Sequence, residues 1–138
     1  MKPDFMKLSF SLILLYFLIN LSFAADIDLD GYSFDVPDDF RSISEFSTEK
    51  DGVLTVHKDF INDKGENISL SFLSSEGIRY NLSDYVSYDD VNTAEMAVNG
   101  HEGLYWTADG EKYFIYFDDG NLISIKAPSD DCLKNMIY

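Results

Sequence analysis

Apolar and polar residues alternate with a period of two along most of this chain, and the alternation breaks at dipeptides that end in glycine. A period of two means β-strands with one dry and one wet face. Ile27 and Leu29 alternate with Asp26, Asp28 and Asp30; Gly31 turns the chain into Tyr32–Val36, which Pro37 stops. Residues 53–60 place Leu54, Val56 and Phe60 opposite Thr55, His57 and Asp59, and after a polar loop at 62–66, Ile68, Leu70 and Phe72 alternate with Asn67, Ser69 and Ser71. Asn99-Gly100 and Asp119-Gly120 suit two-residue hairpins, and Asp109-Gly110 suits a slightly longer one. They separate strands near 94–98, 103–107, 112–118 and 121–127, an antiparallel meander. Lys112–Asp118 is apolar on both faces, which predicts a central strand covered on each side.

Helical signals are few. Ser83 can cap a short helix through Tyr88, and residues 38–47 can hold a helical turn under the first hairpin. Ser129 with Asp130 and Asp131 makes a helix start, its acids facing the positive end of the dipole. The fold class expected is α+β: a twisted antiparallel sheet of about six strands with two or three short helices.

The N-terminus has a different character. Lys2 and Lys7 precede an apolar run from Leu8 to Phe23, and Ser22-Phe23-Ala24 closes it with small residues at the two positions a signal peptidase reads. Residues 1–24 are expected to be a signal peptide and 25–138 a single exported domain. Leu8–Ala25 is 18 residues long, about enough to span a bilayer, so an uncleaved anchor is the alternative. Either way the domain is secreted or stands on the extracellular face of the membrane, and membrane contact is confined to residues 8–25.

The full chain has 10 basic and 25 acidic residues; without Lys2, Lys7 and Asp4, 8 and 24 remain, a formal net charge of −16. A field of that sign repels nucleic acid and anionic headgroups, and neither is expected as a partner. Cys132 is the one cysteine, so no intramolecular disulfide forms and the core must suffice.

The segment Gly31-Tyr32-Ser33-Phe34-Asp35-Val36-Pro37-Asp38-Asp39-Phe40 resembles the start of PsbP-like exported α/β domains. Val98-Asn99-Gly100-His101-Glu102-Gly103-Leu104-Tyr105, followed by an aromatic hairpin and an exit at Ile125–Pro128, is similar to small uncharacterised exported proteins of methanogenic archaea. The resemblance spans most of residues 30–137 and rests on turn and core positions. It implies a sandwich-like α+β fold and carries over no catalytic residue.

Candidate sites are sparse. Asp26, Asp28 and Asp30 before Gly31 begin as a calcium loop begins, but Ca2+ needs about six to eight oxygens and the closing Glu position holds Pro37. A strand and turn accounts for the same residues. Asn67-Ile68-Ser69 and Asn81-Leu82-Ser83 are sequons, so Asn67 and Asn81 are candidate glycan acceptors. Tyr105, Trp106 and Tyr113, with Tyr80, Tyr85 and Tyr88, are candidates for an aromatic platform that stacks on sugars. His57 and His101 lack a metalloprotease spacing, no Gly-x-Ser-x-Gly elbow is present, and no motif couples either histidine to Cys132. No cofactor is called for beyond that calcium candidate. The expected function is an exported, non-enzymatic domain acting by binding or envelope assembly, with a surface polysaccharide or envelope protein as partner. Alternatives are a small exported enzyme or metal-dependent hydrolase, and a calcium-stabilised structural domain.

Overall fold

The computed structural model describes residues 25–78, 81–86 and 91–138, with the side chains of residues 25 and 26 left aside. The expected signal segment, residues 1–24, lies outside them. Among the described residues no helix is long and apolar enough to cross a membrane.

Two short strands open the fold: β1 (Ala25–Leu29) and β2 (Tyr32–Val36) form an antiparallel hairpin. The seven that follow form one antiparallel sheet: β3 (Arg41–Lys50), β4 (Val53–Ile61), β5 (Asn67–Leu73), β6 (Ala94–Val98), β7 (His101–Ala108), β8 (Glu111–Asp118) and β9 (Asn121–Ala127). Their spatial order is β3-β4-β5-β9-β8-β7-β6. After β5 the chain crosses one face to the far edge, then returns strand by strand until β9 pairs with β5. One α-helix among the described residues, α1 (Asp130–Met136), follows; Ser129 caps it by accepting from the Cys132 amide.

The fold is therefore mostly β, not α+β with two or three helices: strand makes up 59% of the described residues. Three readings change. Residues 38–47, expected to hold a helical turn, instead run from position 41 into the ten-residue edge strand β3. Every residue of β3 is exposed, so neither face is dry and the alternation that reveals a strand is missing. The helix expected from Ser83 to Tyr88 is a 3-10 turn at Leu82–Tyr85, in which Asp84 accepts from the Asn81 amide; residues 87–90 lie outside those described. Asp109-Gly110 closes a two-residue hairpin, since Ala108 and Glu111 are partners. So do Asp30-Gly31, Asp51-Gly52, Asn99-Gly100 and Asp119-Gly120, each with positive φ at both residues, the geometry that matches the twist of the flanking strands.

The two faces of the sheet are covered differently. On the first, the β1–β2 hairpin and α1 bury Leu29, Phe34, Val36, Leu133 and Met136 against Phe60, Ile68, Leu70, Phe114 and Ile125. On the second, the crossing segment after β5 lays Ile78, Leu82, Tyr85, Val86 and Val91 over Trp106, Ile115 and Leu122. β8 lies between them, Phe114 and Tyr116 turned to one cluster and Ile115 to the other, as its two-sided apolarity predicts. The crossing segment covers the β9-β8-β7 half of the second face. Among the described residues the rest of the second face, on β3, β4 and β5, is left open, apart from the Ser75–Gly77 turn set against Val53 and Leu73.

Candidate functional site

That open half carries the most organised polar chemistry among the described residues. His57 and Asp59 are two apart in β4 and so project to the same side. Strand register sets His57 opposite Ser71 and Asp59 opposite Ser69. Ser71 Oγ lies 2.6 Å from His57 Nδ1, His57 Nε2 lies 2.9 and 3.0 Å from the two Asp59 oxygens, and Ser69 Oγ donates to Asp59 Oδ1 at 2.6 Å. A carboxylate only accepts, so Nε2 carries the proton; in the neutral ring Nδ1 then accepts from the Ser71 hydroxyl. The two serine protons are committed inward, and the lone pairs of their oxygens are the acceptors this face offers.

Two rows of cross-strand partners frame the network. One runs Phe46, His57, Ser71, Ser124 and on into buried Ile115. The other runs Ser44, Asp59, Ser69, Lys126 and on into Tyr113 and Trp106. Each row begins wet at the β3 edge and ends dry under the crossing segment. The Phe46 ring stacks on the His57 imidazole at 5.3 Å while staying 48% exposed. The His57 and Asp59 side chains are 27% and 29% exposed, shielded enough to be oriented yet reachable.

Ser71, His57 and Asp59 are the residue types of a hydrolytic triad. β5 is paired on both sides, with β4 and β9, so the amides flanking Ser71 belong to the ladder and do not form an oxyanion hole beside it. The arrangement suits hydrogen-bonding recognition better than acyl transfer.

The structure separates the residues proposed from sequence. Trp106 is buried at 2% exposure and stacks on Tyr113 at 5.1 Å with planes 3° apart, both beneath the crossing segment. Tyr105, next in sequence, points to the first face and donates to Asp130 at 2.6 Å. The three do not share a platform, and Tyr80 and Tyr88 lie outside the described residues. Asp28 accepts from the Gly31 amide at 2.9 Å, and Asp30 occupies the left-handed first position of that turn; the side chain of Asp26 is outside the described set. Among the described residues no group of three or more His, Cys, Asp or Glu is placed to share a metal ion. Asn67 begins β5, half-buried, and Asn81 is exposed on the rim of a depression of about 660 Å³ between the crossing segment and the β6–β7 edge. Leu82, Met96, Leu104 and Phe117 line that depression, with Glu95 and Glu102 beside them.

Cys132 and the histidines are not assembled. Burial pushes the Cys132 thiol up to about 11, helped by the Glu66 and Asp39 carboxylates; it packs on the first face, opposite His57. His101 Nε2 bonds the Tyr138 carbonyl at 2.8 Å. The His57 network escaped the sequence reading because its members lie on two strands; only the alternation of His57 with Asp59 and of Ser69 with Ser71 hinted at it.

No protein-family model, curated protein or solved structure matches this chain.

Proposed function

We propose that this chain is an exported, non-enzymatic domain that binds a polyhydroxylated ligand, of the kind a surface polysaccharide presents, on the open face of β3, β4 and β5. The observation that carries this reading is the Ser71–His57–Asp59–Ser69 network beside the half-exposed ring of Phe46. A sugar offers an apolar C–H face and a rim of hydroxyl donors. The ring takes the first; the serine oxygens, the carboxylate and Ser124 are spaced across three strands, β4, β5 and β9, to take the second. The net charge favours a neutral glycan over an anionic one. Export is supported by the residue pattern of positions 1–24.

The test is a titration against neutral and charged polysaccharides. Trp106 is buried, so its emission is a poor reporter; a Phe46→Trp variant puts a fluorophore on the face itself. Saturable change with neutral glycans, abolished by Asp59→Asn, is expected. A panel without binding, or binding unaffected by Asp59→Asn and Phe46→Ala, sinks the proposal.

The short contact between Ser71 and His57 favours one second reading, a serine hydrolase. A fluorophosphonate probe decides it: covalent labelling of Ser71 that His57→Gln abolishes would favour the enzyme, and an unlabelled chain would favour the binding domain.

A further inference from the structure

We infer that β3 is a self-association edge, along which two copies of this chain pair antiparallel and join their sheets. β3 is one of the two edge strands of the sheet, and its outer side carries no ladder among the described residues. It is ten residues long and exposed throughout. Proteins protect such edges with proline, inward charge or brevity. β3 has no proline, and its irregularity lies near one end, between Ser42 and Ser44. Two of the large exposed apolar side chains, Ile43 at 55% and Phe46 at 48%, lie on this one strand.

Charge selects the partner. On a chain carrying a large negative charge, most surfaces repel a second copy. β3 sets Arg41 and Lys50 against Glu45 and Glu49 and is locally neutral, and Glu45 is further compensated by Lys58 Nζ at 3.5 Å. The regular stretch from Ser44 onward also fits itself. A two-fold axis at Phe46 places the two Phe46 rings opposite each other, Ser44 opposite Thr48 of the second copy, and Glu45 opposite Ser47. Aromatic and hydroxyl pairs of this kind stabilise antiparallel strands, and no like charges stand directly opposite. A two-fold perpendicular to the sheet keeps both His57 networks on the same side, about 14 Å apart across three strand spacings. One repeating polymer can then engage both, with the gain in avidity that simultaneous binding brings. A single edge pairing is a small interface, so the dimer is concentration-dependent.

The experiment is sedimentation velocity on protein expressed from the full sequence, without ligand, from about 1 to 200 µM, a range that brackets a weak interface. The wild type is expected to move from one to two chain masses. Phe46→Lys, which sets two ammonium groups face to face, stays monomeric with an unchanged far-UV spectrum. Asp59→Asn, aimed at the glycan site, still dimerises, so failure of the two proposals is distinguishable. In a Cys132→Ser background, Phe46→Cys is expected to form an intermolecular disulfide with oxidised glutathione, because the two-fold register brings the two Cβ atoms within bonding range; Glu49→Cys is not. A wild type that is monomeric throughout overturns the inference. So does a dimer that survives Phe46→Lys, or cross-linking through Glu49→Cys as fast as through Phe46→Cys.

Discussion

The ring of Phe46 lies over the imidazole of His57 with planes 29° apart, joining an exposed edge strand to the hydrogen-bonded centre of the polar face. Phe46 gives up part of its surface to that contact and leaves the rest in water. Phe46→Ala should therefore lower unfolding stability by no more than about 1 kcal/mol, since it removes a half-buried contact and no core volume. Glycan binding should fall at least tenfold. Thermal unfolding and the titration, run on the same preparation, separate the two effects.

Asp59 is the acceptor for both Ser69 and His57. Asp59→Asn keeps the shape but replaces one acceptor oxygen with a donor, which faces either the Ser69 proton or the Nε2 proton. Because the site is partly solvated, water relieves some of the mismatch, and a loss of about 1–2 kcal/mol is expected. Chemical denaturation should show a shifted midpoint with an unchanged slope; a stability equal to wild type would mean the network is not formed in solution.

Trp106 is a core residue of the covered half of the sheet. Its emission should be blue-shifted and resistant to acrylamide, with the indole shielded by Tyr113 and the crossing segment. Trp106→Ala should cost about 3–5 kcal/mol, as large aromatic deletions in cores do. Emission at the wavelength of free tryptophan would show that the crossing segment does not close.

Gly103 has no room for a side chain. A Cβ there would stand 2.1 Å from the Ile115 carbonyl oxygen on the neighbouring strand, a backbone atom that can move only by breaking the β7–β8 ladder. Gly103→Ala should be among the most damaging small substitutions, at about 3 kcal/mol or more, and soluble yield with thermal unfolding reports it. Gly52→Ala, at a turn with open space around it, should cost only the strain of a left-handed alanine, about 1–2 kcal/mol.

Cys132 titrates near 11 in the fold against 9.0 ordinarily, because burial disfavours the thiolate. At pH 8 the folded chain should react with iodoacetamide roughly 100-fold more slowly than the denatured chain. The linkage sign follows: between pH 9 and 11 the unfolded state loses a proton that the folded state keeps, so stability falls across that window. Tyr116, also raised by burial, adds to the decline above its ordinary value of 10.0. Cys132→Ser should flatten the part of the decline that starts near pH 9.

The strands with one dry face were legible. β4, β5 and the β6–β9 meander lie where alternation and Asn-Gly or Asp-Gly put them, and the two-sided apolarity of β8 matches its interior place between β9 and β7. β3 was hidden because its strand character comes from pairing with β4 rather than from burying a face. The 3-10 turn at Leu82–Tyr85 was overread as a longer helix, since a capping residue marks a helical start without fixing its length. The polar network needed the β4–β5 register, which brings Ser71 to His57 across a loop organised by buried Asn62, whose side chain accepts from the Lys64 and Glu66 amides. Its serines read as the wet half of a strand until a neighbour stood beside them.

The crossing after β5 also orders the folding reaction in time. Two-residue turns let the β3–β4 hairpin and the β6–β9 meander form from neighbours in sequence, at microsecond rates typical of hairpins. The β5–β9 ladder is different: its partners come from opposite halves of the domain and meet only after the long crossing has closed, at a loop-entropy cost that local contacts do not bear. Until that seam zips, two half-sheets coexist on one chain, each with a raw inner edge and half a core. The β5–β9 seam is thus the step at which the chain is slowest and most exposed to misassembly, and its amide protons should be among the last to gain protection during refolding.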